Sequence, residues 1–177
     1  MARIVEILIA DSPASPAMPQ SSVRAIPGRG LEGDRYFGGN GTFSPNPRRP
    51  DFEVTLIQQE HVEEFASASG VAFTARDARR NLVTVGVDLN SLVGREFQVG
   101  PVLLRGIRLC EPCNYLAKQT SPKVLRGLVH KGGLRAQILS EGEIRVGDPI
   151  VEVSSAPSPE PAPATGTIPA RQNPRVS

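Results

Sequence analysis

After Asn81 the chain is cut into short apolar runs closed by glycines or charged turns: "NLVTV", "REFQVG", "PVLLRGIRL", "LRAQIL" and "EIRVGDPIVEV". Runs this short, rich in Val, Ile and Leu and closely spaced, suit strands better than helices. Several strands at such spacing predict a barrel or sandwich, not an alternating α/β layer fold. The expected class is mainly β with a few peripheral helices. "SEGE", Ser140 to Glu143, lies between two alternating runs and is expected to be a hairpin loop.

The first half carries fewer elements. "RIVEILIA" predicts a strand that stops at the Pro- and Ser-rich "DSPASPAMPQSS". Residues 22–51 are dense in Gly, Pro and Asn, and a connection of that length in a compact domain is expected to have a functional role or to be disordered. "EVTLIQ" then predicts a strand, and "QEHVEEFASAS" a helix with Val62, Phe65 and Ala66 on one face and Gly70 as its stop. "TARDARRNL" opens with a T-x-x-D capping pattern, Thr74 to Asp77, for one or two helical turns. "SPKVLRGLVHKGG" predicts the remaining helix, with Ser121 as N-cap, Pro122 first inside, Leu125, Leu128 and Val129 on one face and Gly132 as the stop.

Length allows one sizeable core, placed over residues 1–153. Residues 154–177 contain six prolines and only Ile168 and Val176 as large apolar side chains, and are expected to be a disordered tail. Twenty Lys and Arg against 18 Asp and Glu leave a net charge of +2, so no bulk field argues for nucleic acid or membrane. No apolar run reaches the roughly 18 residues of a membrane span. "MARIVEILIA" puts Glu6 in its apolar run and suits a strand better than a signal peptide. A cytoplasmic location is expected, where a Cys110–Cys113 disulfide would be reduced.

The two cysteines stand in "RLCEPCNYL", at the end of a strand and around Pro112. Two thiols with only His61 and His130 to complete them make a poor structural zinc site, and no zinc is expected. C-x-x-C also occurs in thioredoxin-like redox motifs, but a β-rich context does not suit that fold. Two buried thiols acting as small hydrophobes remain open. Against that stands Arg108, two residues before Cys110, since positive charge beside a thiol favours its thiolate.

Anion chemistry has several local candidates. "GRGLEG", Gly28 to Gly33, matches G-x-G-x-x-G, but no helix pattern follows as a dinucleotide site requires. It is either a flexible loop or, with Arg29 and Arg35, a place for a phosphate or oxyanion. "HKGGLRA" sets Gly132 and Gly133 between Lys131 and Arg135, and "ARRN" carries Arg80 and Asn81. Each is either an anion contact or a helix end with solvated cations.

In order, "GLEGDRY", "VTLI", "RRNLVTVGVDLNSLVGREFQVGPVLLRGIRLCEPC" and "GLVHKGGLRAQILSEGEIRVGDPI" resemble a MOSC-domain protein, the family named for the C-terminal domain of molybdenum cofactor sulfurase, in its small stand-alone form. The resemblance runs from about Glu6 to Val153 and implies a β-barrel-like domain. It implies binding of the molybdenum cofactor, a pyranopterin with a terminal phosphate, or carriage of cysteine-bound sulfur. Some relatives reduce N-hydroxylated compounds at molybdenum. By the resemblance Cys113, before "NYL", is the metal ligand or persulfide carrier, with Cys110 second. Arg80, Asn81, Arg108, Lys131, Gly132, Gly133 and Arg135 become cofactor contacts, with Arg35 and Asp34 weaker. An adjoining desulfurase or electron-transfer domain is not expected, and the expected partners are a separate pyridoxal-phosphate cysteine desulfurase or a reductase.

Overall fold

The computed structural model describes residues 1–153. Among the described residues eleven strands are arranged in two sheets. The larger holds β1 (Arg3–Ile9), β2 (Met18–Gln20), β5 (Val54–Gln58), β6 (Leu82–Val85), β7 (Glu96–Val99), β8 (Val102–Leu109), β9 (Leu134–Ile138) and β11 (Ile150–Glu152) in the order β11-β7-β8-β9-β5-β6-β1-β2. The smaller holds β3 (Ser22–Ile26), β4 (Gly30–Leu31) and β10 (Gly142–Arg145) in the order β10-β3-β4. β5 and β6 run parallel and the other pairs antiparallel. The large sheet curls on itself. The edge of β1 that continues into β2 at its far end bonds at its near end to the segment entering β11, with Ile4 N–H donating to Asp148 O at 2.9 Å and Ile150 N–H to Ala2 O at 3.0 Å. Mainly β with a barrel-like sheet is thus the observed class, as the run pattern predicts.

Strand periodicity divides the core in two, because successive side chains point to opposite faces. Ile7, Leu56 and Leu82 turn inward to meet Phe97, Leu104, Leu134 and Ile138, and the small sheet closes this interior with Val23, Ala25, Leu31 and Ile144. Their neighbours Leu8, Ile57 and Val83 turn outward into a second cluster with the helices. That is why β1, β5 and β6 are apolar almost throughout: both faces are covered. The cover is α1 (Gln59–Ser69), α2 (Ala75–Ala78), α3 (Asn114–Gln119) and α4 (Val124–Gly127), through Val62, Phe65, Ala75, Ala78, Leu116, Val124 and Leu128.

Several local expectations are met. α1 ends on Gly70 in the left-handed region, φ 67°, its N–H donating to Ala66 O. Thr74 and Asp77 form the capping box of α2, with Thr74 N–H donating to the Asp77 carboxylate at 2.8 Å. Others are corrected. The helix expected over residues 121–132 contracts to the single turn of α4, whose N-cap is Lys123. Ser140–Glu143 is not a hairpin loop, because β9 pairs with β5 and β8 while β10 crosses to pair with β3. "EIRVGDPIVEV" likewise splits at Gly147, φ 96°, into β10 and β11 in different sheets. Residues 22–51 are not structureless, since they supply β3 and β4. The expected tail, 154–177, lies outside the described residues.

Glu53 joins these parts. It is buried beside β5, accepts from Ile138 N–H at 2.9 Å and from the Gly28 backbone, and burial pushes its carboxyl above the ordinary glutamate value. Among the described residues no helix is long and apolar enough to cross a membrane.

Candidate functional site

β8 delivers the cysteines. Cys110 follows its last residue and donates its N–H to Gly133 O at 2.7 Å; its side chain is 3% exposed. Pro112 turns the chain, and Cys113, extended at φ −137° and ψ 166°, becomes the N-cap of α3. Both thiols are free, Cys110 buried and Cys113 exposed. Between them Glu111 is held by the other strand approach: His130 N–H donates to Oε2 at 2.9 Å, and His130 Nδ1 lies 2.8 Å from Oε1. The turn is therefore pinned on one side of a thiol that remains open to solvent.

Cys113 opens onto a cleft of about 410 Å³ that Cys110 also lines. Five arginines line it: Arg35, Arg79, Arg80, Arg108 and Arg135. Arg80 is held by backbone, with Nε donating to Gly132 O at 2.9 Å and an Nη to Cys110 O at 3.4 Å. Arg108 donates Nε to the buried Asp51 carboxylate at 2.8 Å. Arg135 donates to Asp51 O at 3.3 Å and lies over the Phe52 ring at 4.6 Å, while its buried Nε has no hydrogen-bond partner. Arg35 pairs with the buried Asp34 at 3.4 Å and lies over Tyr36 at 4.9 Å.

Arg79, which the sequence reading passed over beside Arg80, is the fifth. Its backbone is left-handed at φ 56°, an uncommon state for a non-glycine residue and one found at functional sites. Its guanidinium donates to Ser15 O at 3.0 Å and Pro13 O at 3.2 Å. Burial, followed by the nearby Arg35 charge, lowers its pKa. Two close guanidiniums in a partly buried wall favour an anion between or beside them.

The remaining sequence candidates lie elsewhere. Asn81 is buried and engaged within the protein: its Oδ1 accepts from Thr55 N–H and Oγ1, and its Nδ2 donates to Leu8 O and to Asp34 Oδ1 at 3.1 Å. It fixes Asp34, and so the wall holding Arg35, without lining the cleft. Asp34 likewise serves the wall, accepting also from Tyr36 N–H at 3.1 Å. Lys131 points away, its Nζ 2.6 Å from Glu64, whose carboxyl it holds below the usual range by that hydrogen bond. Gly132 and Gly133 serve packing: a Cβ at Gly132 would collide with Cys110 O, and one at Gly133, φ 104°, with Leu56 O. Their close approach is to the Cys110–Pro112 turn and to β5.

Aromatic rings complete the cleft. Tyr36, Phe43, Phe52 and Tyr115 line it, Phe43 meeting Tyr115 edge to face at 5.6 Å between centroids. Thr42 Oγ1 donates to Tyr115 Oη at 3.4 Å, and this bond lowers the phenol's pKa, with Arg79 and Arg35 adding to it. Asp51, Phe52 and these tyrosines were not singled out from sequence. The signal available was "RRPDF", charge and an aromatic around a proline in the long connection. A larger open groove of about 1130 Å³ contains Asp11, Glu32, Glu141 and Glu143 with Arg24 and, of the sequence candidates, only the Glu32–Gly33 end of the "GRGLEG" loop. Its carboxylates do not suit an anion. Among the described residues no group of three or more His, Cys, Asp or Glu side chains could hold a metal ion.

The chemistry of the smaller cleft follows from its donors. Guanidiniums bind phosphate or carboxylate oxygens, ring faces stack on a planar ligand, and the thiol of Cys113 is a soft ligand and a nucleophile. A phosphate-bearing planar group with a soft metal fits this donor set.

The MOSC domain model matches residues 35–151 of the chain. Similar solved structures are the YuaD protein from Bacillus subtilis, with a TM-score of 0.71 and 20% identity over 84% of this chain and 93% of that one, and YiiM from Geobacillus stearothermophilus, at 0.66 and 20% over 86% and 75%. YiiM from Escherichia coli gives 0.63 and 19% over 88% of this chain and 71% of that one. At these identities the likeness is one of fold. No curated protein matches the sequence.

Proposed function

Since the chain belongs to the MOSC-domain family, we propose that it binds the molybdenum cofactor in the arginine-lined cleft, with Cys113 as the thiolate ligand. The observation that carries this reading is an exposed thiol on a cleft walled by five guanidiniums and four aromatic rings. Arg35, Arg79 and Arg135 would hold the phosphate, the rings would flank the pterin, and Cys113 would meet the metal. When bound, the cofactor supplies two-electron redox chemistry; substrates of the N-hydroxylated class and a separate reductase belong to this reading. The protein's own part is to orient an anion, keep a thiol accessible and offer ring faces for a planar ligand to stack on.

The test is the pterin content of protein made in a cofactor-replete host, read as fluorescence of the oxidised pterin released on denaturation. Wild type is expected to yield pterin in proportion to protein, and Arg79→Gln with Arg135→Gln to lose most of it. Equal pterin in both, or none in wild type, would contradict the reading.

A second reading rests on the exposure of Cys113 alone: it carries sulfur. In that step the Cys113 thiolate attacks the outer sulfur of a donor persulfide, for example on a cysteine desulfurase. The donor S–S bond breaks, a bond from Sγ to the transferred sulfur forms, and the donor leaves as a thiolate with no net oxidation.

A further inference from the structure

Three consecutive residues, Pro50 to Phe52, form a short 3-10 turn against β9 and β8, and two cleft arginines are organised by it. Asp51 Oδ2 lies 2.8 Å from both Nε and an Nη of Arg108. The Asp51 carbonyl accepts from Arg135 at 3.3 Å, and the neighbouring Phe52 ring lies under the same guanidinium. Arg49 reaches the other carboxylate oxygen, Oδ1, at 3.3 Å. The Asp51 side chain is only 3% exposed, against 47% for Arg108.

A buried carboxylate in the wall of an anion site needs an explanation. By charge alone it opposes anion binding, and burying it carries a desolvation cost that only pairing offsets. Its paired contacts suggest what it does instead. An arginine on a mobile side chain loses rotamer freedom on binding an anion, whereas one already clamped does not. The Nε hydrogen bond to Oδ2, with an Nη of the same guanidinium equally close to that oxygen, tethers Arg108 at a charge-assisted contact to a carboxylate that is itself buried.

We propose that Asp51 is a positioning residue of the cleft: its carboxylate clamps Arg108, and its carbonyl Arg135, so that both arginines face the space beside Cys113. This rests on the reading of the cleft as an anion site. Orientation and charge make opposite forecasts. Asp51→Asn removes a negative charge, which by charge alone strengthens attraction for anions. By orientation it frees Arg108 and weakens that attraction. Arg108→Lys keeps the charge and loses the Nε hydrogen bond that ties the guanidinium to Asp51.

The experiment uses the Cys113 thiol of the full chain as its own reporter. Alkylation rates at Cys113, followed by peptide mass spectrometry, are compared for anionic iodoacetate and neutral iodoacetamide in wild type, Asp51→Asn and Arg108→Lys. In wild type the rate ratio is expected to exceed that of free cysteine in the same buffer. Both variants are expected to lower it severalfold, with Asp51→Asn having no further effect when added to Arg108→Lys. A ratio that rises in Asp51→Asn, or is unchanged in Arg108→Lys, overturns the positioning role. A wild-type ratio equal to that of free cysteine overturns the anion site itself, so the two failures are told apart. If Asp51→Asn does not fold, as its thermal melt would show, the more exposed Arg108→Lys still decides the matter.

Discussion

At the scale of single residues, two cysteines three apart in sequence have different fates because the strand ends between them. Cys110 is still in β-like backbone, paired to Gly133 and covered, while Cys113 starts a helix at the surface. Iodoacetamide at neutral pH is therefore expected to label Cys113 rapidly in the folded protein and Cys110 only after unfolding; equal rates in the folded state, measured by peptide mapping, would contradict the assignment. Glu53 makes a pH-dependent forecast. Its carboxyl has a raised pKa in the fold, so the native state holds the proton more tightly than the unfolded chain, and stability falls as pH rises from the ordinary glutamate range through that raised value. Glu53→Gln keeps an acceptor for Ile138 N–H and removes the penalty. Melts from pH 4 to 7 are expected to show a gain in thermal midpoint that is largest at pH 7 and shrinks toward pH 4. A gain independent of pH would refute the argument.

At the scale of elements, glycine positions separate close packing from mere turn formation. Gly133→Ala would drive a Cβ into Leu56 O with φ at 104°, whereas Gly28, φ 75°, has open space around it. Gly133→Ala is expected to cost about 1–3 kcal/mol from backbone strain alone, with the collision adding to it, and Gly28→Ala about 1–2 kcal/mol. Denaturant titration that ranks them the other way would contradict the packing. These elements also show what the sequence could convey. β1, β5 and α1 were legible because periodicity and Gly70 act locally. The β9–β10 hairpin was misjudged because the choice between turning back and crossing to β3 is made by distant strands, which adjacent alternation cannot register. Arg108 is legible as a cation beside a cysteine and Arg135 as one flanking the Gly132–Gly133 pair, while Asp51 and Arg79 are not, since their roles arise from chain segments brought together by the fold.

At the scale of the molecule, the curled sheet brings five arginines from four separate stretches of chain to one thiol. The net charge of +2 gave no hint of this, because Asp34 and Asp51 are buried in the same walls and the larger groove gathers carboxylates of its own. Charge is segregated by the fold, not by composition. The central claim is that Cys113 is the group that holds the cargo, metal or sulfur. The most direct test is native mass spectrometry, with elemental analysis, of the full chain from a cofactor-replete host, comparing wild type, Cys113→Ser and Cys110→Ser. The account predicts an added mass, either pterin with molybdenum or one sulfur atom, on wild type and Cys110→Ser but absent from Cys113→Ser. An unmodified wild type, or an adduct that survives in Cys113→Ser, would contradict it.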